Sequence, residues 1–288
     1  MISNGMLPQL DRLSLVSTKR QPLPLHGERR SNARGSSVEF VDYRGYASGD
    51  DLRRVDWNLY GRSGQLFVKQ FEDERALVVH ILVDASLSMD VGEPNKLELA
   101  RALAGALGYV ALSCAGRVTV ARLRTDAEVV FGPAQGKNRA AALLTSVGTV
   151  RAAGQTDLDR AVTSFVSRER TPGLTILISD LLGPTWETGI RRLLSHESEV
   201  VVVHVLAPDE LAPEPAEEVR LIDRETGRSV EVRLDRTAID RYRERLGRWL
   251  GAVEMLCGRS KIRYARVLSS TPVAEALLGH LTRAGVVR

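Results

Sequence analysis

Two carboxylates and three hydroxyls, spread over three segments, are the residues of this sequence best suited to chemistry. The apolar run at residues 76–84, ALVVHILVD, stops abruptly on Asp84 and continues Ala85-Ser86-Leu87-Ser88. In extended backbone, residues two apart point the same way. The oxygens of Asp84, Ser86 and Ser88 are therefore expected to converge, with Leu87 turned toward the core. A second run, LTILISD at residues 174–180, ends the same way on Asp180. Between them, Gly154-Gln155-Thr156-Asp157 puts a hydroxyl and a carboxylate at a loop-to-helix junction, where Thr156 is expected to be N-cap-like with its oxygen free.

This set contains no thiolate and no imidazole. Hard oxygen donors select Mg²⁺, with Mn²⁺ or Ca²⁺ as possible substitutes, over zinc or copper. Three of the five donors are neutral, so a bound ion keeps net positive charge and a coordination position for an outside anion. An acidic residue, Glu or Asp, of a client protein would fill it. That chemistry recognises a partner; it does not by itself catalyse. The plainer reading is that both serines cap the following helix while Asp84 bonds backbone amides.

These residues need a scaffold that brings strand ends together. Residues 65–71, 117–123 and 127–133 alternate as strands do, while 76–84, 174–180 and 199–206 are continuous apolar runs of buried strands. Helical spacing marks residues 96–114, with further helices at 138–147, 157–166 and 185–194. Strands alternating with helices predict an α/β fold, a doubly wound and mostly parallel sheet with an antiparallel edge. Such sheets bind ligands outside the carboxyl ends of their strands, where the strand order reverses.

Four segments are expected. Residues 1–35 read as an irregular arm containing one short helix. Residues 36–75 read as a turn-rich element packing on the main domain, with Tyr43, Tyr46 and Trp57 as its pins. Residues 76–207 form the sheet domain, and 208–288 extend it with a hairpin, a helix, a strand and a last helix. The interleaved Asp42, Asp50, Asp51, Asp56, Arg44, Arg53 and Arg54 suggest an ion-pair network rather than a second metal or phosphate site.

Bulk composition narrows the function classes. The 288 residues are 43% hydrophobic and 26% charged, enough to bury a sizeable core. The net charge is +4 and the pI about 9.3. Charges of both signs are interspersed, so nucleic-acid binding is not expected, although the Arg-rich arm (Arg29, Arg30, Arg34) and the helix around 236–248 keep it as an alternative. Cys114 and Cys257 lack metal-ligand spacing and read as small buried residues of a reducing compartment. No secretory signal is read at the N-terminus, and the apolar stretch at 102–115 is too short to span a bilayer. A cytoplasmic protein without a membrane segment is the expectation. Another alternative is a metal-dependent phosphatase or hydrolase using Asp84, but the position two residues on is Ser86, where a second carboxylate is usual, and no G-x-S-x-G or P-loop accompanies it. No enzyme is expected.

The order Asp84-x-Ser86-x-Ser88, Thr156, Asp180 resembles the metal-ion-dependent adhesion site of von Willebrand factor A domains. The resemblance implies that Ser86, Ser88 and Thr156 touch the metal and that Asp84 and Asp180 act largely through water. The family often carries Gly-Gly before the threonine and Asp-Gly after the last strand, whereas this sequence has Gly154-Gln155 and Asp180-Leu181. The stretch EFVDYRGYASGDDLRRVDWNLYGRSGQLFVKQFEDE, the motif LIDRETGR and the Thr271-Pro272 helix resemble the bacterial domain of unknown function 58, encoded beside MoxR-type AAA+ ATPases. That resemblance implies a chaperone-like adaptor, working with a MoxR-type ATPase in assembling or activating other proteins.

Overall fold

In the computed structural model, described residues are 4–17, 40–47, 55–71, 77–213, 215–222, 224 and 227–288. The chain divides into two units, one comprising residues 1–19 and 77–288 and the other residues 20–76. Chain order runs α1 (Leu7–Leu10), β1 (Phe40–Gly45), α2 (Trp57–Ser63), β2 (Phe67–Phe71), β3 (Val78–Asp84) and α3 (Lys96–Ser113). It continues β4 (Arg117–Leu123), β5 (Ala127–Gln135), α4 (Ala140–Gly148), α5 (Leu158–Arg168), β6 (Leu174–Ser179), α6 (Trp186–Ser195) and β7 (Glu199–Leu206). The last elements are α7 (Pro208–Leu211), β8 (Ala216–Ile222), β9 (Ser229–Leu234), α8 (Arg236–Arg259), β10 (Arg263–Leu268) and α9 (Val273–Glu275).

The larger unit is an α/β sheet sandwich. Six strands lie in the order β10-β7-β6-β3-β4-β5, all parallel except β5, which runs antiparallel beside β4. From β3 the chain builds outward through β4 and β5, then returns to β6 and builds the other way. The switch in strand order therefore falls between β3 and β6, and their carboxyl ends carry Asp84 and Asp180. Helices cover both faces, which is why the central strands read as unbroken apolar runs. Val79, Ile81 and Val83 enter one core with α3 and α4, while Leu82 enters the other with α5, α6 and α8. Every residue of β3 is buried, and each buried Val, Leu or Ile contributes about 1.5–3 kcal/mol of transfer free energy.

Helix α3 is buried along almost its whole length, as its apolar and small residues on several faces require. A Cβ on Gly108 would stand 2.7 Å from Leu143 Cδ2, so a larger residue there would have to displace the Leu143 side chain where α4 packs on α3. The two ends of the unit meet at its edge. Leu15 bridges Val287 in antiparallel fashion, and Ser14 and Arg288 exchange backbone hydrogen bonds of 2.9 and 3.0 Å. Residues 4–17, expected in an irregular arm, thus belong to the sheet unit, with Leu10 1% exposed. The reason is tertiary: the backbone partners of Ser14 and Val16 are Arg288 and Val286, at the far end of the chain. The rest of the expected arm, including Arg29, Arg30 and Arg34, lies outside the described residues.

The smaller unit pairs β1 with β2 antiparallel and adds α2. Asp56 caps α2, accepting from the amides of Asn58 and Leu59 at 2.9 and 3.1 Å, and also takes the Tyr43 hydroxyl at 2.9 Å. Trp57, expected as an apolar pin, is 58% exposed, since α2, which it opens, has no buried residue. Asp50, Asp51, Arg53 and Arg54 lie outside the described residues. Cys257 is buried as expected, but Cys114 is exposed, because it forms the C-cap where α3 leaves the core.

Candidate functional site

Asp84 ends a strand buried on both faces, and its carboxylate is only 4% exposed. Its two oxygens accept three hydrogen bonds. Oδ1 receives the Ser86 amide at 3.0 Å and the Thr156 hydroxyl at 2.8 Å, and Oδ2 receives the Ser179 hydroxyl at 2.6 Å. Burial, and then the neighbouring Asp180 carboxylate, nevertheless push its pKa up. Three neutral donors do not replace lost water for a charge this deep.

The loop after β3 is not extended throughout, as the spacing predicts. Ser86 keeps extended backbone, but residues 87–90 coil into a 3-10 turn whose Met89 side chain fills the core. Leu87 is only half-buried; Met89 takes the core position expected of it. The serine hydroxyls still meet, Ser86 Oγ lying 2.9 Å from Ser88 Oγ. On the second loop, Asp157 rather than Thr156 caps α5, accepting from the Arg160 amide at 3.1 Å. That leaves the Thr156 hydroxyl to Asp84. Gly154, at φ +65°, makes the turn that brings this loop over the first, where its carbonyl accepts the Leu87 amide at 3.0 Å.

Asp84, Ser86, Ser88, Thr156 and Asp180 all line one cleft, together with Ser179. It has room of about 10 Å³, roughly the space of one water-sized sphere. Neighbouring oxygens on an octahedral Mg²⁺ at 2.0–2.1 Å lie about 3 Å apart. The Ser86–Ser88 and Thr156–Asp84 oxygen pairs have that spacing. Among the described residues no three His, Cys, Asp or Glu side chains cluster as a metal site, so a cation here has to use hydroxyls. In size and donor chemistry the cleft fits a small hard ion.

Asp180 brings a partner that the sequence does not advertise. Lys96, the first residue of α3, is 0% exposed, and its ammonium lies 2.8 Å from Asp180 Oδ2. The same ammonium donates to Glu210 in α7. Burial alone would lower the lysine's pKa, but the two carboxylates outweigh it and the net shift is upward. Asp180 Oδ1 accepts the Leu182 amide at 3.2 Å, and its main-chain carbonyl accepts from His204 Nε2 at 3.0 Å. Glu210 also takes the Ala207 amide at 2.7 Å, closing a ring of contacts behind the cleft. Ser179, Lys96 and Glu210 escape a motif search because strands β6 and β3, helix α3 and helix α7 meet only in the folded chain. The one available signal is Ser179, immediately before the strand-end carboxylate.

The family described as "Protein of unknown function DUF58" matches residues 42–248. The chain belongs to it. Uncharacterized proteins of Mycobacterium bovis and Mycobacterium tuberculosis are 31% identical to this DUF58 chain over 231 residues, 77% of it and 72% of each relative. Among solved structures, BatB from Bacteroides thetaiotaomicron superposes with a TM-score of 0.47 at 20% identity, covering 73% of this chain and 98% of that one. A von Willebrand factor type A protein from Catenulispora acidiphila gives 0.35 at 21% identity, over 48% and 34% of the two chains. The DUF58 chain's own six-stranded sheet, parallel but for β5 and covered by helices on both faces, makes it α/β in fold, as the sequence predicts.

The expected cytoplasmic placement is corrected here. An aerotolerance-related membrane protein from Bacteroides fragilis (TM-score 0.44, 21% identity, 73% and 98% coverage) is described as a membrane protein and stands among the structural neighbours. Among the described residues, no helix is long and apolar enough to cross a membrane.

The departure from Asp-Gly at the last strand end has a visible consequence. Leu181 sits at φ +54°, a left-handed conformation that costs a non-glycine residue about 1–2 kcal/mol. Its side chain is 2% exposed in the core shared with α5 and α6, and that burial offsets the cost.

Proposed function

We propose that this DUF58 protein is a non-catalytic adaptor that binds Mg²⁺ in the cleft between β3 and β6 and through it grips an acidic side chain of a client protein. The observation that carries this reading is the gathering of three hydroxyls and two buried carboxylates around a space of one ion. Ser86, Ser88 and Thr156 would hold the ion directly, with Asp84 and Asp180 behind them. The ion would supply a positive charge facing solvent. The protein's part is to orient the Thr156 hydroxyl and the Ser86 backbone, through the Asp84 hydrogen bonds, and to keep the carboxylates from moving.

Support for a binding rather than an enzymatic role comes from the lining. Among the described residues, no imidazole or thiol lines the cleft, and the Lys96 amine near it is an ammonium shared by two carboxylates, unfit as a base or nucleophile. The Arg-rich helix α8 carries interleaved pairs, Arg243 with Asp240 and Arg248 with Glu244, which supports a mixed solvated face over a nucleic-acid stripe. The MoxR-type AAA+ ATPase implied by the sequence resemblance is the proposed working partner. The test is co-purification of tagged protein with that ATPase and with clients, in Mg²⁺ and in EDTA. Asp84→Ala should release the clients while the circular dichroism spectrum stays native. Client capture undiminished by EDTA would refute the metal bridge.

A further inference from the structure

A fully buried lysine at a helix N-terminus needs a reason. The helix dipole disfavours a cation in the first turn, and lysine is among the residues least often buried. Here both costs fall on Lys96, which starts α3 and has no exposed surface. Asp180 Oδ2 and Glu210 Oε1 are its partners, and their side chains are 2% and 20% exposed. Asp180 lines the candidate metal cleft; Lys96 and Glu210 do not. The ammonium is therefore buried outside the cleft's own lining and pairs with one of the cleft's two carboxylates.

We propose that Lys96 is a built-in counter-cation that sets how tightly the cleft binds a divalent ion, with Glu210 as the opposing adjustment. The inference rests on the metal reading above and names the residues that regulate it. Asp84, Asp180 and Glu210 carry three negative charges and Lys96 returns one, leaving two to meet a divalent ion. Without the lysine the excess would be three, favouring an ion held permanently. With it, the ion is held more weakly, and its charge stays available to an outside carboxylate. Lys96 also engages the Oδ2 of Asp180, so this oxygen is kept from direct coordination. Glu210 draws part of the lysine's charge away from Asp180 and is itself anchored, through the Ala207 amide and through its own carbonyl, which accepts the Tyr242 hydroxyl at 2.6 Å. Segment 207–211 and helix α8 are thereby linked to the strength of the ion site.

Two substitutions that break the same ion pair are expected to act in opposite directions. Lys96→Met removes the positive charge and should tighten Mn²⁺ binding, followed by titration calorimetry or by the spin resonance of free Mn²⁺, about tenfold. Glu210→Gln leaves the whole ammonium to Asp180 and should weaken Mn²⁺ roughly three- to tenfold. A role confined to bracing α3 against α7 would move both in the same direction or neither. Should Lys96→Met not fold, the double variant Lys96→Met/Glu210→Gln restores the wild-type excess of two negative charges. It is then compared with Glu210→Gln alone and should bind Mn²⁺ about tenfold more tightly. Equal affinities in that pair, or weakening by both single substitutions, overturn the inference. A wild-type protein that takes up no Mn²⁺ at millimolar concentration removes the metal reading itself.

Discussion

Lowering the pH should destabilise this protein through one histidine beneath the cleft. His204 has no exposed surface, and its Nε2 faces the Asp180 carbonyl, which only accepts. That nitrogen therefore carries the proton, and Nδ1, 2.8 Å from the Tyr264 hydroxyl, accepts from it. The ring is satisfied as a neutral imidazole, and its burial disfavours the charged form. Burial accordingly pushes its pKa from 6.5 down to about 4. Because the folded value is the lower, the unfolded chain binds more protons between the two values. The stabilisation is complete above about pH 6.5 and is lost as pH falls toward 4. A gap of about 2.5 units at 1.36 kcal/mol each puts the loss by pH 4 at about 3 kcal/mol. Urea denaturation at several pH values between 7.5 and 4, in EDTA, measures it. His204→Gln keeps a donor near the carbonyl and does not titrate, so the other groups cancel in the difference between the two proteins. The difference curve should slope by about 3 kcal/mol over that interval. A flat difference curve would show that His204 is not held neutral, and the reasoning would fail.

Other outcomes follow from the same structure. If the cleft binds Mg²⁺, an ion concentration a hundredfold above Kd should add about 2.7 kcal/mol of stability. That corresponds to roughly 5–10 °C in the melting temperature for a chain of this size, and Ser86→Ala should abolish the rise without lowering the metal-free melting point by more than a degree or two. Thiol labelling at pH 8 should modify Cys114 at once, whereas Cys257, buried and with its pKa pushed up to about 11, should react only in denaturant. Two rapidly reacting thiols in the native protein would contradict the packing of α8 against the sheet.

The fold was legible because its signals are local. Strands buried on both faces need unbroken apolar runs, and residues 78–84 and 174–179 could hardly be anything else. Both runs end on Asp, and parallel strands place such ends on one rim, so Asp84 and Asp180 could be assigned to a shared site before any coordinates. Ser86 and Ser88 followed from spacing, although a 3-10 turn and not an extended loop delivers Ser88, and Thr156 followed from its loop-to-helix junction, although Asp157 is the residue that caps the helix. Even the departure at Leu181 was visible as a missing glycine. Its meaning was not, since only the fold shows the left-handed backbone and the core that compensates it. Tertiary structure alone decided the rest. Nothing local marks Lys96 among forty basic residues, because its burial depends on Asp180, 84 positions on, and Glu210, 114 positions on. The seating of residues 4–17 against the far C-terminus is equally invisible, since backbone hydrogen bonds between distant segments leave no pattern in either one. Sequence periodicity records which face of an element is buried; it does not record which charge will be waiting there when the elements meet.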